Sequence, residues 1–405
     1  MTGFPGGFLW GASTSPHQVE GNNVNSDWWG REGLIPGMQL SGDANDSYHR
    51  FREDMTLLAD AGLNSYRFGI EWARVQPRPD AFSNALLAHY RRMIDTALEL
   101  GITPVITLHH FSSPRWFAEL GGWNTPDSVN HFTRYVEAVS PILSDVGYVV
   151  TINEPNMLAM MLNLEKAAQR GDLEGWQSPT IEHQGESDWT QPPLPVPVPE
   201  DGANLIEAHH AARTVLHSRT DARVGWSIAN QVFTVVPGGE QRHKEIEWAF
   251  ENLYLEQSRE DDFVGVQAYT SQEIDENGLV PHPPHPENTM IGTAYRPDAL
   301  ALAVRHAARL TGRPILVTEN GIATPDDARR IAYTTEALRH LVGAIADGID
   351  VLGYLHWSLL DNYEWGHWEP TFGLIAVDRD TFERRPKPSL AWLGGVSRSN
   401  GAVLS

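Results

Sequence analysis

The chain has 405 residues, 41% of them hydrophobic and 20% charged, with a formal net charge of −22. That is globular composition with enough apolar residues for a large core, and the strong negative balance excludes a nucleic-acid backbone or an anionic membrane as partner. Cysteine is absent, which excludes disulfides, thiolate catalysis, Cys-ligated zinc and iron–sulfur sites.

The N-terminus, Met1-Thr2-Gly3-Phe4-Pro5, lacks a basic region and a long apolar core, and no apolar run reaches the ~20 residues of a membrane span. A cytoplasmic protein is expected. Phe8–Ala12 reads as a first strand running into a polar loop with Gln18 and Glu20. A helix is expected over about Asp46–Ala61, stopped by Gly62, and a second strand over Ser65–Ile70. Helix Asn84–Leu100, stopped by Gly101, leads to strand Thr103–Leu108, which ends at His109-His110-Phe111. Thr125 and Pro126 read as cap and first turn of a helix running to about Ser144.

The fourth strand, from Tyr148, ends at Asn153-Glu154-Pro155. A helix over Met157–Ala168 then enters a long irregular stretch, Gly171–Gly202, in which the prolines of Pro192–Pro199 require extended chain. Helix Ala203–Arg219, strand Arg223–Ile228, helix His243–Ser258 and strand Phe263–Tyr269 follow. After a His/Pro-rich loop, Pro297 opens a helix that Gly312 closes. Strand seven ends at Thr318-Glu319-Asn320-Gly321, and helix Asp326–Asp347 leads to strand eight, Val351–Trp357.

Eight strands alternating with helices, with no sharp break in composition, predict one (β/α)8 TIM barrel domain over residues 1–405. The rival, a doubly wound open sheet, lacks a Gly-rich phosphate loop. In a barrel the C-terminal strand ends carry the chemistry. Here they carry Gln18, His110, Asn153, Glu154, Gln267, Tyr269, Glu319 and Trp357. Two glutamates, each closing a buried strand, form the carboxylate pair that glycoside hydrolysis needs. Tryptophans beside polar groups, as in Asp27-Trp28-Trp29 and Glu364-Trp365, suit a sugar's apolar faces and hydroxyl rim.

From end to end the chain resembles the family 1 glycoside hydrolases, the β-glucosidase and β-glycosidase family. The motifs that carry the resemblance are Phe8-Leu9-Trp10-Gly11-Ala12 with Gln18 and Glu20-Gly21, Tyr66-Arg67-Phe68, and His110. They continue with Thr151-Ile152-Asn153-Glu154-Pro155-Asn156, Thr318-Glu319-Asn320-Gly321 and Trp357-Ser358-Leu359-Leu360-Asp361-Asn362-Tyr363-Glu364-Trp365. The resemblance implies a retaining, exo-acting β-glycosidase with Glu319 as nucleophile and Glu154 as acid/base, the carboxyls about 5–5.5 Å apart. It implies that Arg67 and Tyr269 hold Glu319 ionised, that Glu154 rests protonated, and that Asn153 binds the sugar 2-hydroxyl. Gln18 and Glu364 are expected to grip hydroxyls on the far side of the ring. His110 and Trp365 are expected to add donors, and Trp357 to form the floor. A carboxylate at Glu364 repels phosphate, so an unphosphorylated glycone is expected.

The pattern is broken at Phe111, where tryptophan is usual, at Gln267-Ala268 in place of Asn-Tyr, at Glu71 in place of serine, and after Trp365. These departures open the glycone from glucose to galactose or fucose. No cofactor and no metal are expected. His109 and His110 are adjacent on a strand and point to opposite faces, and no HExxH occurs. The expected partner is a small β-glycoside or short oligosaccharide. A non-catalytic sugar-binding barrel is the alternative, and it would lack one of the two glutamates.

Overall fold

The structure is a computed structural model describing residues 3–35, 37–170 and 195–404. Eight strands form a closed parallel barrel. They are β1 (Leu9–Ser13), β2 (Ser65–Gly69), β3 (Thr103–Thr107), β4 (Tyr148–Asn153), β5 (Arg223–Ala229), β6 (Val264–Gln267), β7 (Ile315–Asn320) and β8 (Val351–Trp357). Strand β1 pairs with β8 on one side and β2 on the other, so no edge is left open.

Alternation along the strands sorts the core in two. Leu9, Val105, Val150, Leu316 and Leu355, from five different strands, meet with Phe263 in one cluster. Residues from so many strands can meet only inside the barrel, so this cluster plugs its N-terminal half. Their neighbours of opposite parity, such as Trp10, Tyr66, Phe68, Val149 and Val317, join the larger cluster between sheet and helices.

Two register shifts re-aim side chains at the other end. Val150 pairs with Gly225, but the next pairing on β4 is Asn153 with Ser227, three residues against two. Val266 pairs with Val317, and then Gln267 pairs with Glu319, one residue against two. A bulge of this kind inverts alternation beyond it. Asn153 and Glu319 therefore share the inward face with Val150 and Leu316, although each lies an odd number of residues further on.

The helices follow the expected order, with local differences. Ser83 caps Asn84–Glu99 and Asp326 caps Asp327–Ala346 through their side chains. Gly62 and Gly312 end their helices at φ of 96° and 68°, a left-handed geometry that costs glycine nothing. Thr125 is not the expected cap. Its hydroxyl donates back to the Gly122 carbonyl at 3.3 Å, and Pro126 takes the cap position of Asp127–Val139 without a side-chain bond. Pro199 is not part of an extended run but opens helix Pro199–Arg219, where its missing N–H is harmless. The stretch 171–194, with Pro192 and Pro193, lies outside the described residues. The helix expected over His243–Ser258 is interrupted by a π turn, Trp248–Asn252. There the Phe250 carbonyl accepts from Asn156 Nδ2 at 2.9 Å, tying the turn to the chain just after Glu154. Among the described residues no helix is long and apolar enough to cross a membrane.

Candidate active site

The C-terminal strand ends converge on Arg67, which β2 projects inward by simple alternation after Ser65. Its guanidinium is fully buried and used at every nitrogen. Nε donates to Thr107 Oγ1 at 2.9 Å, Nη1 to Glu319 Oε1 at 2.5 Å and Nη2 to Asn153 Oδ1 at 2.5 Å. The other oxygen of Glu319 accepts from Tyr269 Oη at 2.7 Å. Burial holds the Tyr269 phenol well above its ordinary pKa, so it stays a donor. Gln267 Nε2 also donates to Asn153 Oδ1, at 2.9 Å.

Glu154 follows β4 directly and has φ of 45°. Its N–H donates to the Ser227 carbonyl, and its own carbonyl accepts from Met157 and Leu158, the first turn of helix Pro155–Arg170. A non-glycine residue in this region is strained and needs such fixing. Burial pushes the Glu154 carboxyl well above the ordinary carboxylate range. The charge of Glu319 adds to the rise, and Arg67 opposes it. Glu319 is also raised by burial, but Arg67, Tyr269 and Gln267 all favour its ionised form. The two carboxyls feel each other's charge and differ in their donors. That difference is what separates a proton carrier from a standing anion.

The opposite wall is built around Glu364. Its Oε1 accepts from Trp357 Nε1 at 3.2 Å and its Oε2 from Gln18 Nε2 at 3.3 Å. Gln18 is itself tied to Asn362 Oδ1 and to the Tyr363 carbonyl, each at 2.9 Å. Burial raises the Glu364 carboxyl to about 8. Hydrogen bonds from Trp357 and Gln18 oppose the rise, and the charge of Glu319 adds to it. His110 stacks between Trp357 and Trp365, with centroids 5.7 and 6.1 Å away. Burial, with Arg67 nearby, pushes its pKa well below the ordinary histidine value, so it is a neutral imidazole. Trp365 is enclosed by His110, His17, Trp28 and Phe111.

All ten residues expected from the sequence thus stand in one assembly. Arg67, Asn153, Glu154, Tyr269 and Glu319 form one half, and Gln18, His110, Trp357, Glu364 and Trp365 the other. Asn153 Nδ2 and His110 Nδ1 are buried without a protein partner, and both halves therefore offer polar atoms to a ligand.

Residues 1–183 and 241–402 match the sequence profile of glycosyl hydrolase family 1. The chain belongs to that family. β-Glucosidase A of Acetivibrio thermocellus is 30% identical across 98% of this chain and 99% of its own. The apo structure of a β-glucosidase superposes with a TM-score of 0.86 at 40% identity, covering 97% of this chain and 98% of the other. The Thermotoga maritima β-glucosidase in complex with glucoimidazole gives a TM-score of 0.84 at 26% identity, covering 98% and 99%. The protein is accordingly a β-glycosidase of the β-glucosidase type.

In this family 1 enzyme some supporting residues escaped the sequence reading. Thr107 orients Arg67; its place two residues beyond the inward Val105 was the available signal. Gln267 stood out as a strand-end residue and as a departure from the family pattern but without a role, yet it donates to Asn153 Oδ1 and favours the ionised form of Glu319. Glu71, another departure, accepts from Ala73 N at 3.0 Å and Ser112 Oγ at 2.7 Å, bracing the turn after His110. His17 is paired with buried Glu32 at 2.8 Å, which also accepts two bonds from Ser41, and this pair backs Trp365. His109, by contrast, turns away from the site to Ser113 at 2.9 Å. Among the described residues no group of three or more His, Asp or Glu is placed to hold a metal ion.

Proposed function

We propose that this single-domain enzyme is a retaining, exo-acting β-glycosidase that removes terminal β-D-glucosyl residues by double displacement. The observation that carries the reading is the unequal support of the two glutamates. Glu319 has a guanidinium and a phenol on its two oxygens; Glu154 has burial and the charge of Glu319 against its ionisation. Glu319 attacks the anomeric carbon while Glu154 gives its proton to the leaving oxygen. Glu154 then takes a proton from water, which releases the sugar from Glu319. Asn153 Nδ2 donates to the 2-hydroxyl, and Gln18, Glu364 and His110 bind the far hydroxyls above Trp357.

A carboxyl at Glu364 supports an unphosphorylated sugar. Glucose as glycone is supported by the glucoimidazole complex of the Thermotoga maritima relative. Phe111 favours a second reading. Its ring meets that of Trp365 edge to face, centroids 5.0 Å apart, and supplies no indole donor to the sugar, so galactose or fucose is the glycone this reading admits.

The test is peptide mass spectrometry after incubation with an activated 2-deoxy-2-fluoro-β-glucoside. The expected result is a fluoroglucosyl adduct on the peptide bearing Glu319. An adduct on another residue overturns the assignment. An adduct formed only by the galacto reagent selects the second reading.

A further inference from the structure

Asn153 shows the protein one end of its amide and leaves the other bare. Its Oδ1 accepts from both Arg67 Nη2 and Gln267 Nε2, at 2.5 and 2.9 Å. Its Nδ2 is buried and unpartnered. A carbonyl oxygen has two lone pairs, and both are taken. Flipping the amide would aim an NH2 group at two N–H donors, so only one orientation is stable. Arg67 alone would hold it through one bond; Gln267 supplies the second.

Gln267 has a further connection. It lies opposite Glu319 in the β6–β7 register, and its amide favours the ionised form of that carboxylate. Its Oε1 is buried and unpartnered. Gln267 and Asn153 together leave one buried donor and one buried acceptor unmatched. A hydroxyl, which accepts and donates at once, satisfies such a pair.

We propose that Gln267 is a positioning residue for recognition of the substrate's 2-hydroxyl, holding Asn153 in its donating orientation next to Glu319. The proposal rests on the glycosidase reading above. It predicts that removing the Gln267 donors costs activity through the 2-hydroxyl rather than through the fold.

The experiment compares kcat/KM for a nitrophenyl β-glycoside of the glycone that the wild type hydrolyses with its 2-deoxy analogue. It uses wild type and Gln267→Met, which keeps chain length and removes both donors. The expected loss in Gln267→Met is roughly tenfold or more on the 2-hydroxy substrate, with a much smaller loss on the 2-deoxy one. If that variant does not fold, Gln267→Leu carries the test, since it also removes both donors from Asn153; the same selective loss is expected. Equal losses on both substrates, or none, overturn the inference while leaving the glycosidase reading intact. A wild type that hydrolyses no nitrophenyl β-glycoside overturns the glycosidase reading, and the inference falls with it.

Discussion

Arg67 and Glu319 form a buried ion pair, with Nη1 2.5 Å from Oε1 and the guanidinium wholly screened from solvent. A buried carboxylate is tolerated when a cation and further donors compensate its desolvation. Here the cation also serves Thr107 and Asn153, so charge and geometry are both demanded. Arg67→Lys keeps the charge as a single point and cannot span three acceptors. The expected outcome is a fall in kcat of about 10²-fold or more, comparable to losing one preorganised donor, with the fold retained by circular dichroism. Near-wild-type kcat would mean that charge alone suffices.

The phenol of Tyr269 is the second donor to Glu319, and it favours the ionised form. With Glu319 as the proposed nucleophile, catalysis needs it ionised, so the acid limb of the rate profile is expected to report its titration. Removing the hydroxyl raises the Glu319 pKa. In Tyr269→Phe the acid limb therefore moves to higher pH, while the alkaline limb, set by protonated Glu154, stays. A kcat/KM profile against pH for the two proteins checks this. A shift of the acid limb to lower pH would contradict the assigned roles.

Glu154 is expected to matter in proportion to the need for a proton on the leaving group. Glu154→Gln should lower kcat/KM on an alkyl glycoside by about 10³-fold, within the usual range for a general acid. On a dinitrophenyl glycoside the first step should change little, and the glycosyl-enzyme should accumulate because the base for water is gone. Stopped-flow traces then show a burst. Equal losses on both substrates would remove Glu154 from the acid role.

How much of this site the sequence displayed can be judged from single residues. Arg67 and Thr107 were readable from alternation, being two residues beyond Ser65 and Val105. Glu319 and Asn153 were not. Strict alternation with Leu316 and Val150 inward sends both to the helix side, and only the register shifts bring them back. The motifs identified them, but strand periodicity did not. The left-handed φ of Glu154, and those of Phe111 and Trp365 at 65° and 47°, were also invisible, because nothing about these residue types announces such a backbone. The ring stack around Trp365 joins residues from three segments, those after β1, β3 and β8. No local pattern encodes a contact between His17 and a tryptophan so far along the chain.

Glu251 tests the burial argument away from the chemistry. It lies on the π turn, buried, with the neutral donors Asn230 Nδ2 at 2.9 Å and Gln231 N at 2.7 Å. Burial raises its pKa from 4.5 to about 7. Between those values the folded chain holds a proton that the unfolded chain releases. Stability therefore falls as pH rises through that window, and levels off above it. Glu251→Gln removes the titration. Asn230 Oδ1 is buried without a partner, so the Asn230 amide can turn and accept from the new NH2. The variant should melt about 1–3 °C above wild type near pH 8, and level with it or slightly lower near about pH 5. Parallel melting curves across the whole range would show that Glu251 is already ionised in the fold.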